Sequence, residues 1–143
     1  MKLGMIGLGR MGANMAERLL RGGHQVIGFD PNAAARTALE GKGATSADAL
    51  ASLVQSLETP RIVWLMVPAG KITDDTVDAL LALLEPGDTV IDGGNSNYKD
   101  TLRRAKAYAG KGLAYVDCGT SGGVWGLQEG YSMMIGGDEN TVE

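Results

Sequence analysis

One cysteine, Cys118, and one histidine, His24, are all the sequence holds of the residues that build disulfides and most zinc sites. A single thiol excludes an internal disulfide framework and fits a reducing compartment, and two such ligands are too few for a zinc centre, so no metal is implied. Aromatic residues are only 5% of the chain, which argues against a large interface anchored on Trp and Tyr. Lys and Arg are scattered and the net charge is −4, so neither the basic footprint of nucleic-acid binding nor a polybasic membrane patch is present. Lys2 precedes apolar residues as in a signal peptide, but glycines and Arg10 interrupt them, and no other run approaches membrane-spanning length. These absences read as a cytoplasmic chain whose partners are small molecules, not nucleic acid or membrane.

Glycine is what the chain has in excess: 22 residues, about twice average usage, without a collagen-like period and clustered after apolar runs. A length of 143 residues fits one domain spanning 1–143, large enough to bury about two-thirds of its unfolded surface. Its core must come from Leu, Val, Ile, Ala and Met.

The stretch that organises the chain is Gly7-Leu8-Gly9-Arg10-Met11-Gly12, a GxGxxG loop between the apolar run Leu3 to Ile6 and a helical pattern beginning at Met11. In a dinucleotide-binding βαβ unit the first glycine makes the tight turn, the second admits the pyrophosphate, and the third lets helix pack on strand. The helix behind it offers unpaired N–H groups and its positive dipole end to the phosphates. Gly12, Met15, Ala16 and Leu19 fall at i, i+3, i+4, i+7, and a second apolar run, His24 to Phe29, closes at Asp30. That context turns a weak motif into a cofactor site. His24 starts the second strand, away from the glycine-bearing strand ends, and reads as structural.

Asn32 caps a helix from Ala33 to Glu40, and Ala44-Thr45 is a short third strand. Ser46 caps a further helix with Leu50, Leu53, Val54 and Leu57 on one face. Arg61 to Val67 reads as a strand buried on both faces, because its apolar residues run on without alternation. A helix starting near Thr73 carries Asp74 and Asp75 in its first turn and buries Val77, Leu80, Leu81 and Leu84. Thr89 to Ile91 and Leu113 to Val116 are strands running into Asp92-Gly93-Gly94-Asn95-Ser96 and into Asp117 to Gly123. Between them Asn97 and Asp100 open a helix through Ala109, and Tyr131 to Ile135 is an edge strand. Alternating strands and helices specify an α/β doubly wound, mostly parallel sheet of the Rossmann type, in the order 3-2-1-4-5-6. Ligands bind beyond the carboxyl ends of such strands, where all the glycine-rich segments fall.

Asp30 lies eighteen residues after Gly12, close to the spacing of an acid that accepts from the adenosine ribose hydroxyls and repels a 2′-phosphate. It favours NAD over NADP; the plainer alternative is a turn residue before Pro31. Arg36, the one nearby candidate for a 2′-phosphate, sits on a helix where a solvated or ion-paired side chain is expected.

The runs GLGRMGANMA at Gly7 to Ala16, VPAG at Val67 to Gly70, DGGNSNYKDT at Asp92 to Thr101 and GTSGG at Gly119 to Gly123 resemble the β-hydroxyacid dehydrogenases. Within them DGGNS resembles the 6-phosphogluconate dehydrogenases. The likeness covers essentially the whole chain. Val124 and Trp125 stand where the longer members carry acidic residues, so the chain resembles the shorter, often NAD-using branch.

The resemblance implies oxidative decarboxylation of 6-phosphogluconate to ribulose 5-phosphate with NAD and no metal. Asn95 would meet the sugar hydroxyls and border the cofactor, and Val67, Pro68 and Ala69 would line the nicotinamide side. Ser121 with the N–H groups of Gly122 and Gly123 would grip the substrate carboxylate as a small anion nest. The family's lysine base and glutamate acid match nothing before Glu143. The resemblance therefore implies that they lie downstream, in an all-helical substrate and dimer domain absent from this chain, with a homo-oligomer for the full-length enzyme. Two alternatives stay open: a 3-hydroxyisobutyrate-type dehydrogenase, and a non-catalytic NAD-binding or sensing module.

Overall fold

Each short apolar run becomes a strand and each period-3.6 run a helix that covers it. In the computed structural model, which describes residues 1–122 and 125–143, the order begins β1 (Lys2–Ile6), α1 (Arg10–Arg21), β2 (Gln25–Phe29), α2 (Ala33–Glu40), β3 (Thr45–Ser46), α3 (Leu50–Gln55) and β4 (Ile62–Leu65). It continues α4 (Lys71–Leu83), β5 (Thr89–Asp92), α5 (Tyr98–Ala109), β6 (Ala114–Ser121), α6 (Gly126–Glu129), β7 (Ser132–Gly136) and α7 (Glu139–Val142). Among the described residues seven strands form one sheet in the order β3-β2-β1-β4-β5-β6-β7. The first six are parallel and confirm the expected order, and β7 adds to β6 antiparallel. None of the described helices is long and apolar enough to cross a membrane.

Two cores lie on the two faces of the sheet. Leu53, Val54 and Leu57 from the α3 region, Val77 and Leu80 from α4, and Tyr108 from α5 pack on Ile6, Val63, Leu65 and Val90. Met15 and Ala16 from α1 and Leu39 from α2 pack on Leu3, Met5 and Val26. Alternate residues of a parallel strand face opposite layers, so β1 sends Met5 to one core and Ile6 to the other. Tyr108 anchors the larger core: its ring meets Tyr115 edge to face at 5.3 Å, and its hydroxyl donates to the Val77 carbonyl at 2.7 Å.

Four local expectations are corrected. Strand β4 alternates rather than being buried on both faces: Val63 and Leu65 are fully buried, whereas Ile62 and Trp64 are half-buried beside α1 and Tyr131. Ser46 does not cap α3; it ends β3 and its hydroxyl bonds the Glu40 carboxylate, while Ala49 precedes the helix without a side-chain cap. Helix α4 begins at Lys71, because the buried Thr73 hydroxyl donates to the Pro68 carbonyl at 2.8 Å and winds the turn two residues earlier. Strand β6 runs to Ser121 instead of stopping at Val116, since β7 supplies partners from Asp117↔Gly136 to Ser121↔Ser132. Glycine and hydroxyl residues that look like a loop are held extended by a neighbour further along the chain.

Candidate functional site

The three glycines of the first loop separate by environment. Gly7 has φ +93, and a Cβ there would lie 2.4 Å from the Met66 carbonyl oxygen, so the turn admits no side chain. A Cβ on Gly12 would sit 2.0 Å from the Gly7 carbonyl oxygen, which is how closely α1 approaches the loop. Gly9 has nothing within 4 Å of that position and faces open space. Gly9 also precedes α1 without a side-chain cap, which leaves the helix's first N–H groups for a ligand. A shallow cradle with bare amides at a helix start fits a pyrophosphate.

A cleft of about 530 Å³ opens at this end of the strands, lined by Ile6, Gly7, Gly9, Met11, Phe29, Asp30, Pro31, Met66, Val67, Pro68, Ile72, Thr76, Gly93, Gly94 and Asn95. Of the residues named from sequence, Gly7, Gly9, Met11, Asp30, Val67, Pro68 and Asn95 meet here. Leu8 and Gly12 are buried behind the loop, and Arg10 and Ala69 are exposed outside the lining. Ser121 ends β6 outside the lining, and Gly122 is half-buried with the Tyr131 ring against its backbone, 2.7 Å from where a Cβ would be. Asn95 comes near β6 two residues before Ser121, its Oδ1 lying 3.8 Å from the Cβ position of Gly119. Gly123 lies outside the described residues.

Asp30 ties the glycine loop to the turn after β2. One carboxylate oxygen accepts from the Leu8 N–H at 2.9 Å and the other from the Asn32 N–H at 2.8 Å. These bonds fit the turn role and leave about two of the carboxylate's four acceptor directions open to a ligand. Arg36 is half-buried and makes no ion pair among the described residues. Its guanidinium donates to the Asp30 carbonyl at 2.7 Å and the Pro31 carbonyl at 3.4 Å, fixing the turn that presents the Asp30 carboxylate.

Below Asn95 lies a polar cluster that the sequence did not disclose. Asp92, fully buried, accepts from Gly94, Ser96 and Tyr115, and Arg104 stands 3.5 Å away. Arg104 also donates twice to Asp74 on α4, at 3.0 and 2.8 Å. These bonds and those from Arg103 hold the Asp74 carboxyl below the usual carboxylate range. Burial and the Asp92 charge push the Tyr115 hydroxyl up, which keeps it a neutral donor. Burial, then the charge of Asp92, also raises Asp117 on β6. Ile72 and Thr76 on α4 line the cleft too; their apolar and hydroxyl side chains looked like ordinary helix residues, and only the exposure of Ile72, 53%, marks it.

Comparison with known proteins agrees with this geometry. The family described as the NAD binding domain of 6-phosphogluconate dehydrogenase matches residues 2–143. The chain is 48% identical over 139 residues to an NAD(+)-dependent, decarboxylating 6-phosphogluconate dehydrogenase of Haloferax volcanii, covering 97% of this chain and 46% of that protein. Among solved structures, the Plasmodium falciparum 6-phosphogluconate dehydrogenase superposes with a TM-score of 0.90 at 29% identity, over 97% of this chain and 31% of that one. A Mycobacterium tuberculosis 3-hydroxyisobutyrate dehydrogenase gives 0.90 and 29%, over 99% of this chain and 48% of that one. The chain thus spans about half the length, or less, of the relatives it matches. Fold, glycine loop and a family match over residues 2–143 together place it: the chain belongs to the family of NAD-binding domains of 6-phosphogluconate dehydrogenase, a nicotinamide-dinucleotide-binding unit of the β-hydroxyacid oxidoreductases.

Proposed function

We propose that this chain is the cofactor-binding half of an NAD-dependent, decarboxylating 6-phosphogluconate dehydrogenase. The observation that carries the reading is the meeting of Gly9, Asp30 and Asn95 in one cleft, which sets a pyrophosphate cradle, a ribose acceptor and a polyol-binding amide side by side. The family match and the name of the relative at 48% identity support this substrate, whereas the solved 6-phosphogluconate and 3-hydroxyisobutyrate dehydrogenases, both 29% identical, do not separate the two.

Gly9 and the N–H groups opening α1 hold the pyrophosphate, and Asp30 accepts from the adenosine ribose. Leu8, Arg10, Met11 and Gly12 shape that loop, and Val67, Pro68 and Ala69 border the nicotinamide end. A nicotinamide held there would supply the hydride acceptor for C3 of the sugar acid. Asn95 offers a donor and an acceptor to the sugar hydroxyls and fixes which carbon faces the cofactor. Ser121 and the amides of Gly122 and Gly123 hold the substrate carboxylate until it leaves as CO2. The lysine base and glutamate acid belong to residues outside these 143, in the half that also forms the homo-oligomer, and the enzyme works in the cytoplasm.

Kinetics of the whole enzyme with 6-phosphogluconate and NAD+ provide the test. Asn95→Ala and Ser121→Ala each lower kcat/KM by about tenfold or more, roughly 1.4 kcal/mol of transition-state binding, while NAD+ affinity stays nearly unchanged. Wild-type kinetics in both variants, or a higher kcat/KM with 3-hydroxyisobutyrate, would contradict the assignment.

A further inference from the structure

We infer that Asp92 is a positioning residue: its buried carboxylate holds Asn95 in the left-handed conformation that aims the amide into the cleft. The inference rests on the reading of Asn95 as a ligand-binding residue given above. Asn95 is the one described non-glycine residue with positive φ, at +58, a region that most L residues avoid. No local hydrogen bond of its own side chain is present among the described contacts to account for it.

The account lies in its two neighbours. The Gly94 N–H donates to Asp92 Oδ1 at 2.9 Å, and the Ser96 hydroxyl donates to Asp92 Oδ2 at 2.6 Å. Both flanks of Asn95 are tied to one carboxylate, so the chain between them must fold outward over it. Gly94 is pressed on the Val67 carbonyl, 2.5 Å from where its Cβ would be, which closes the other direction. Asn95 is consequently exposed at the cleft while Asp92 beneath it is not exposed at all.

The carboxylate is itself held from below. Tyr115 on β6 donates to Oδ2 at 3.0 Å, and Arg104 on α5 approaches to 3.5 Å while bound to Asp74 of α4. A buried charge is tolerated only where several partners satisfy it, and here they come from one loop, one strand and one helix. Asparagine tolerates the left-handed region better than most L residues but still favours others, so without the ties that state becomes a minority of the population, and a ligand that needs it binds more weakly in proportion.

Two measurements test this. In the 143-residue chain, Ser96→Ala and Asp92→Asn move the Asn95 Cα and Cβ chemical shifts away from left-handed values. In the whole enzyme, Ser96→Ala lowers kcat/KM for 6-phosphogluconate about tenfold, yet changes it less than about twofold on an Asn95→Ala background. Tyr108→Phe, which removes a buried hydrogen bond elsewhere on α5, lowers the unfolding midpoint and moves neither readout. Ser96→Ala is a half-buried loop change and keeps the test valid if Asp92→Asn fails to fold. Unchanged Asn95 shifts in Ser96→Ala, or an equal loss of kcat/KM in both backgrounds, would overturn the inference. If the shifts move while Asn95→Ala leaves the kinetics at wild-type level, the positioning stands and the substrate reading of Asn95 falls.

Discussion

Gly12→Ala lowers NAD+ affinity by at least about a hundredfold, roughly 2.7 kcal/mol, and destabilises the chain as well. The added methyl would lie 2.0 Å from the Gly7 carbonyl oxygen and 3.1 Å from its carbon, both backbone atoms that no side-chain rotation can clear. Either α1 slides away from the sheet or the loop opens, and each movement displaces the bare amides from the cradle. Gly9→Ala gives the paired result. Its backbone, at φ −65, suits alanine and nothing stands within 4 Å, so stability holds or rises slightly while the methyl intrudes on the ligand's space. Urea unfolding and NADH fluorescence titration of both variants separate packing from binding. Gly12→Ala with wild-type stability and affinity would refute this division of labour among the glycines.

Asp30→Ser narrows the preference for NAD over NADP by about 1–3 kcal/mol, some five- to 150-fold in the ratio of dissociation constants. In the proposed site the carboxylate would accept from ribose hydroxyls and repel a 2′-phosphate, and serine retains a single neutral acceptor. The substitution also removes the bonds from Leu8 and Asn32, so absolute affinity for both dinucleotides falls. The ratio is therefore the quantity to read, by parallel titration with NAD+ and NADP+. Arg36 donates through one nitrogen to the carbonyls of Asp30 and Pro31, so it stays at the turn in both proteins and the change in the ratio reports on Asp30. Tighter binding of NADP+ by the unaltered chain would sink the assignment.

Much of this site could be read before the fold was known, because its parts are local. The glycine spacing, the acid closing β2 and the apolar runs each occupy one stretch of chain, and parallel topology brings their ends together. What could not be read depends on distant pairings. Asp117 to Ser121 look like a loop until β7, arriving from Ser132 onward, makes them strand. Nothing in its own stretch of chain marks Arg104, on which Asp74 and Asp92 converge from α4 and β5, leaving it 3% exposed. Ser46 carries a good capping side chain, but the Glu40 carboxylate draws it elsewhere. Asp92 was visible as part of a glycine-rich motif; its service as the anchor of Asn95 required the positions of Ser96 and Tyr115.

The central claim is that one nicotinamide dinucleotide lies across the carboxyl ends of the strands, from the glycine loop to Asn95. It is tested most directly by titrating the isotopically labelled 143-residue chain with NAD+ and following every backbone amide. The account predicts one saturable set of shift changes, largest at Gly7, Gly9, Met11, Asp30, Val67 and Asn95, the residues that share the cleft. No saturable change, or changes gathered at the opposite end of the sheet around Arg61, Gly87 and Gly112, would contradict it.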